Sequence, residues 1–399
     1  MEGSDVFMST ILGLILAFLV LCLAVGIHEF GHLIAAKKCG VGVVEYAIGM
    51  GPIIWHKRKG DTVYSVRLIP FGGYCAMYGE QSLEADTKGL PDEEGKKEKK
   101  SRFAFFAKRQ EQVKADYKTD WSSDQAFTNQ RWWKKFLILC AGPFSNLVLG
   151  IIACLLLVLF FHAPTEPTII ELMEDHPAMT SGIAVGDVIV GVNDRDVLTW
   201  NDYILYLDSH PDVIKDGYTL RVRRGDEILS ISAIRREDDD LFGISVKQEP
   251  VEKTAGVVVK YMWNKVEYMF RSVFDSLSML LRGVASVKDM SGVIGVTNAI
   301  VESTDEVVTA AVESNEDAFG PMMSLVLHIL GLLSINLGIL NLLPIPALDG
   351  GRIVFSLYEG VFRRKVPERV ELVINSVGMI CLLTLMGYIV IQDISRIFN

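Results

Sequence analysis

His28, Glu29 and His32 form an HExxH pattern inside an otherwise apolar run from Phe7 to Ala36. In a helix, residues i and i+4 share a face. Two imidazoles there can hold one Zn2+, and the glutamate beside them can take a proton from a water that the metal activates. Ionisable groups are costly in an apolar segment, so these three are expected to be functional. Catalytic zinc takes a third protein ligand and keeps a fourth position open. Glu45 is the nearest acid at a thermolysin-like spacing, but it lies in a strand-like stretch. The longer HExxHxxGxxH pattern is absent, since Ala35 stands where its glycine would be. The better candidate is Asp349, in the stretch Asn341-Leu-Leu-Pro344-Ile-Pro346-Ala-Leu-Asp349-Gly350-Gly351-Arg352. Prolines and glycines there break a helix and can aim an acid at a metal.

The elements that must position these residues follow from composition. The chain has 399 residues, 50% of them hydrophobic and 22% charged. Its mean hydropathy is +0.30, too apolar for a disordered chain. The net charge of -10 excludes the basic surface that nucleic-acid binding favours. The apolar residues bunch into four runs, Phe7–Ala36, Phe136–Phe161, Met322–Leu343 and Val370–Ile391, each long enough to cross a bilayer. The first run is too long for a cleaved signal peptide, and residues 1–7 hold Glu2 and Asp5 but no Lys or Arg. Basic clusters at Lys37-Lys38, at Arg131, Lys134 and Lys135, and at Arg352 and Arg363-Arg364-Lys365 fall on one side if four spans alternate. That side is expected to be cytoplasmic. The N-terminus and residues 163–320 are then extracytoplasmic. His28, His32 and Asp349 come to a similar depth near the cytoplasmic face. Trp132-Trp133 beside Lys134-Lys135 reads as an interfacial anchor.

Between the spans, residues 41–79 alternate like strands around a Gly60-Asp61 turn. Residues 80–130 are hydrophilic and of mixed charge, with a Lys-rich centre at 96–100, and read as a cytoplasmic insert. Residues 165–247 have the short strands of a small α/β domain, with a helix at Trp200–Ser209. Residues 257–282 space their apolar groups by three and four, as an amphipathic helix. The six cysteines lie in or just after spans, none in 163–320 and none as CxxC, so disulfides are not expected. Asn146 and Asn336 read as bridges between helices, and His328 as a satisfied interhelical group.

At HEFGH (28–32), AGPFSN (141–146), GIAVGD (182–187) followed by GVNDRDV (191–197), SGVIG (291–295) and NLLPIPALDGGR (341–352), the chain resembles the site-2 protease family of intramembrane zinc metalloproteases. The similarity is greatest to the regulator-of-sigma-E protease branch with one PDZ domain. It covers the chain except most of 80–130. The resemblance implies His28, His32 and Asp349 as zinc ligands, Glu29 as general base, and Asn341 as a contact to the substrate backbone or developing oxyanion. It implies a PDZ-like domain that restricts bulky substrates. Its substrates would be single-pass membrane proteins, such as anti-sigma factors already trimmed by another protease, or signal-peptide remnants.

The expected fold is an α-helical polytopic membrane protein of four transmembrane helices, with a membrane-associated β-hairpin and an inserted extracytoplasmic PDZ-like α/β domain. The expected segments are helix 1 with HExxH (1–40), the β region (41–79), the insert (80–135) and helix 2 (136–162). Then come the PDZ-like domain (163–250), the amphipathic helix and connection (251–320), helix 3 with NxxPxPxLDG (321–352), and helix 4 with the tail (353–399). The expected location is a bacterial plasma membrane. A helix buries its peptide bonds, so a transmembrane substrate must unwind, and the β region offers a strand edge to capture it. Two other readings are an inactive membrane PDZ scaffold and a zinc transporter. The first would tolerate loss of ligand or base. The second expects acids and histidines along several spans, and span two holds none.

Overall fold

A computed structural model describes residues 2–80, 113, 116–117, 120–161, 165–233, 242–286, 292–314 and 317–398. The Lys-rich centre of the expected insert lies outside these residues. Four helices are long and apolar enough to cross a membrane: Ser9–Cys39, Trp132–Phe161, Phe319–Leu342 and Arg369–Arg396. The shortest has 24 residues, about 36 Å at 1.5 Å per residue, against a hydrocarbon core of ~30 Å. The protein is a multi-pass membrane protein. The chain divides into two units, residues 1–150, 293–314 and 333–399 in one, and 151–292 with 315–332 in the other.

The first unit begins with α1 (Glu2–Cys39). Its last turn carries Lys37 and Lys38, and the terminal carbonyl of Cys39 accepts from Lys134 Nζ at 2.8 Å. Cations at this end complement the helix dipole. Strands β1 (Val43–Lys59) and β2 (Thr62–Met77) follow, joined at Gly60-Asp61 as expected. Both strands bend, so residues 45–48 pair on one side with 73–76 and on the other with 63–66. Residues 55–59 pair back onto 62–66. The bends at 49–52 and 68–72 share one end, where Met50, Ile54, Leu68 and Ile69 are exposed and apolar. The opposite end carries Lys57, Arg58 and Lys59. Such a polarity suits an element whose tip enters lipid while its base stays in water.

Pairing sets the two faces, because successive side chains alternate. Tyr46, Tyr64 and Cys75 face α1 and pack with Leu33 and Ala36. Ile53 and Val63 bury on the other face with Val113.

Helix α2 (Trp132–Leu156) contains Pro143 and continues as a π-helical turn to Phe161. The expectation that Asp349 ends the third span is corrected. The span helix stops at Leu342, because Pro344 and Pro346 cannot supply the N–H donors of further turns, and Asp349 opens a new helix, Asp349–Phe362. The final helix runs Glu368–Phe398.

The second unit carries an antiparallel sheet of β3 (Thr165–Leu172), β4 (Val188–Val192), β5 (Arg195–Asp196), β6 (Tyr218–Arg224), β7 (Glu227–Ala233) and β8 (Ile244–Pro250). The order is β7-β6-β4-β3-β8, with β5 on β4. Two helices lie between β5 and β6: α3 (Trp200–Ser209) and α4 (Pro211–Asp216). Thr199 caps α3 by accepting from the Asp202 N–H at 3.2 Å. Ile169, Ile189, Leu220, Val222, Tyr203 and Leu207 form the core between sheet and helix. The amphipathic α5 (Ala255–Arg282) is held to α3 by a charge network. Asp202 accepts from Arg195 at 2.7 Å and from Arg271 at 3.3 Å, and Arg195 also reaches Asp275 at 2.8 Å. Strand β8 and the helix α6 (Val293–Ser314), which belongs to the first unit, were not anticipated. The helices after it are α7 (Phe319–Leu342), α8 (Asp349–Phe362) and α9 (Glu368–Phe398).

Candidate active site and metal centre

His28 and His32 lie one turn apart on α1, their rings edge-on at 4.9 Å between centroids. Asp349 meets both. Its Oδ2 lies 2.9 Å from His28 Nε2 and 3.2 Å from His32 Nε2, and the two Nε2 atoms are 3.2 Å apart. A tetrahedral zinc with ligands at 2.0–2.1 Å has ligand–ligand edges of about 3.3 Å. The triangle therefore has close to the size that zinc requires. Two ring nitrogens converging on one carboxylate oxygen form a donor set that fits a cation. Among the described residues, these three form a group able to hold a metal ion.

The support for the ligands comes largely from α2. His32 Nδ1 donates to the Ile138 carbonyl at 2.8 Å, which frees Nε2 as the metal-facing nitrogen. Asn146, fully buried, places its amide 3.4 Å from His28 Nδ1, while its Oδ1 has no partner. Turning the amide over puts that oxygen on a protonated Nδ1, the tautomer required by a ligand using Nε2. The orphaned oxygen thus fits a metal on the other side of the ring. Ser145 Oγ donates to the Ile27 carbonyl at 2.8 Å and ties the two helices beside the site. A Cβ on Gly142 would lie 2.2 Å from His32 Nε2, so only glycine leaves room for that ring. The AGPFSN segment in this way walls the candidate metal centre. Asn146 was read from sequence as a helix bridge. It does bridge α1 and α2, and it does so at a candidate ligand. The signal was an asparagine and a Gly-Pro pair inside an apolar span.

Asp349 is aimed by a tight loop. Ala347 adopts φ 74°, and its N–H reaches Asn375 Oδ1 of α9 at 3.5 Å. A Cβ on Gly350 would stand 1.9 Å from the Leu343 carbonyl oxygen, so the chain can fold back here only with glycine.

The remaining sequence candidates fall as follows. Glu29, beside His28, lies against β2, where a Cβ on Gly73 would stand 3.4 Å from its Cγ. Glu45 is not in the cluster. It is buried on the far face of the hairpin, where Ser65, Tyr74 and Tyr117 donate hydroxyls at 2.5, 2.6 and 2.6 Å and Arg67 pairs with it at 2.8 Å. Burial would raise its carboxyl, but these donors hold it below the usual value. Asn341 is half-buried in the last turn of α7, eight residues before Asp349.

Membrane-crossing helices around a buried His-His-Asp cluster with a glutamate beside it define an intramembrane metalloprotease. Residues 16–385 match Peptidase family M50, and the chain belongs to this family, that of the site-2 proteases. It is 30% identical to the zinc metalloprotease RasP of Shouchella clausii (strain KSM-K16), covering 98% of this chain and 100% of that one. It is 28% identical to the regulator of sigma-W protease RasP of Bacillus subtilis (strain 168), with 98% and 100% covered. RasP of Bacillus licheniformis is 27% identical over the same shares. The protein is a zinc-dependent protease of the site-2 type.

Proposed function

We propose that the protein cleaves transmembrane segments of single-pass membrane proteins, using His28, His32 and Asp349 to hold zinc and Glu29 as general base. The observation that carries this reading is the triangle of donors, 2.9–3.2 Å on a side, with a carboxylate beside it on the same helix. Zinc, when bound, supplies a Lewis acid that makes water acidic enough to lose a proton near neutrality. Glu29 takes that proton on a carboxylate oxygen and later gives it to the leaving amine. Strand β2 packs beside this side chain at Gly73. Asn341 contacts the substrate backbone or the developing oxyanion. The hairpin strand at 73–77 lies beside α1 and offers an edge on which an unwound substrate can add as a strand.

The N-terminus and the PDZ-like second unit lie outside the cytoplasm, and the metal centre lies near the cytoplasmic face of a bacterial plasma membrane. The PDZ-like unit excludes substrates with bulky extracytoplasmic parts. One relative is named a regulator of sigma-W protease. That name supports trimmed anti-sigma factors as substrates here, with signal-peptide remnants as the second class.

The test is Glu29→Gln. Size and hydrogen bonding stay, and the basic carboxylate goes. Zinc content should stay stoichiometric while single-turnover cleavage of a transmembrane substrate falls at least ~100-fold. Near-normal cleavage with zinc intact would remove Glu29 from the mechanism.

A further inference from the structure

The buried cluster around Glu45 has no part in holding the metal, yet it is built at high cost. A buried carboxylate must be fully partnered. Glu45 is 1% exposed and takes five hydrogen bonds, from Ser65, Tyr74, Tyr117 and twice from Arg67. Arg67 also contacts the Tyr74 hydroxyl. Four of these five residues belong to the hairpin. The fifth, Tyr117, comes from the segment that follows it.

Val113, Asp116 and Tyr117 each touch the hairpin. Val113 packs on Ile53 and Val63, Asp116 lies 3.4 Å from His56, and Tyr117 closes the Glu45 cluster at 2.6 Å. All three fall on the hairpin face opposite α1. The strand register explains what this does. Tyr46 and Cys75 are opposite one another, as are Ala47 and Tyr74. Alternation therefore puts Glu45 and Tyr74 on one face and their chain neighbours Tyr46 and Cys75 on the other. Tyr46 donates its hydroxyl to the Gly26 carbonyl at 2.8 Å, and Gly73, on the same strand as Cys75, lies against Glu29, whose Cγ a Cβ there would meet at 3.4 Å. The cluster grips both strands at the positions next to those that touch the catalytic helix.

We propose that Glu45 is a positioning residue for Glu29, and that Tyr117 is the latch that completes it from outside the hairpin. The latch fixes strand 73–77, and with it the backbone at Gly73 that packs against the base. Occupation of the Glu45 site by Tyr117 thereby sets the turnover of the metal centre from the opposite side of the sheet. This rests on Glu29 acting as the general base.

The experiment uses the full-length protein in detergent, loaded with zinc, in three forms: wild type, Tyr117→Phe and Val113→Ala. Tyr117→Phe removes one hydroxyl and keeps the ring. Val113→Ala loosens the docking without touching a hydrogen bond, and serves if the first variant does not accumulate. Three readouts are taken: metal content, kcat and KM on a transmembrane substrate, and the rate of thiol labelling of Cys75 with the other five cysteines changed to serine. A small displacement of a catalytic group costs one to two orders of magnitude in rate. The expected result is stoichiometric zinc, KM within about twofold of wild type, kcat lower by about tenfold, and faster Cys75 labelling. Wild-type kcat and labelling in both variants would overturn the latch. So would zinc loss in proportion to activity, which marks a purely structural contact. If wild type itself shows no zinc-dependent cleavage, the proposed function falls instead, and Cys75 labelling still decides whether Tyr117 holds the strand.

Discussion

Asn146 of α2 lies 3.4 Å from His28 Nδ1 of α1, with its own Oδ1 buried and unpartnered. A ligand histidine needs a fixed tautomer, and the group on its far nitrogen sets it. Removing the amide should leave His28 free to rotate and to choose the wrong tautomer. Asn146→Ala is expected to weaken zinc binding by roughly 10–100-fold, the usual cost of losing such a partner. Competition with a fluorescent chelator measures this directly. Unchanged affinity would reduce Asn146 to the interhelical bridge that its sequence context suggests.

Gly142→Ala should damage the site at His32. The added Cβ would meet His32 Nε2 at 2.2 Å and the ring carbons at 2.6 and 2.8 Å. Either the imidazole leaves the metal or the two helices separate. Both outcomes predict loss of stoichiometric zinc in the purified variant, measured by elemental analysis, with the protein still present in the membrane fraction.

His28→Ala, His32→Ala and Asp349→Ala should each abolish zinc binding and cleavage, since three protein ligands leave no redundancy. Glu45→Ala should act differently. It leaves the donor triangle intact and removes the hairpin cluster, so zinc should remain while turnover drops. Treating the wild type with a chelator and restoring Zn2+ should remove and return activity. Stoichiometric zinc with full turnover in Asp349→Ala would mean that the triangle is not the metal site.

The proposed orientation is tested by labelling single cysteines with an impermeant reagent in intact cells. A cysteine in place of Asp208 should react, and one in place of Glu98 should not. The reverse pattern would invert the orientation and move the metal centre to the other face of the membrane.

Much of the architecture is written in short-range spacing. The four apolar runs, the Gly60-Asp61 turn, helix Trp200–Ser209 and strand Val188–Val192 are visible because burial and turn chemistry act between near neighbours. HExxH is legible for the same reason, since both histidines belong to one helix. Strand Ile244–Pro250 was missed because much of it is polar and exposed, and its strand character comes from pairing with β3 rather than from its own pattern. The metal centre required contacts that no local pattern encodes. His28 and Asp349 are 321 residues apart in the chain and 2.9 Å apart in space. Locally, Glu45 sits in a strand-like stretch and Asp349 in a broken one rich in proline and glycine, which favours Asp349 in sequence. Tertiary packing separates them further, because one finds four protein partners and the other faces two ring nitrogens. The sequence alone places an HExxH pattern on a helix long enough to cross a membrane. The fold decides which acid meets it, which asparagine stands beside His28, and which glycine makes room for His32.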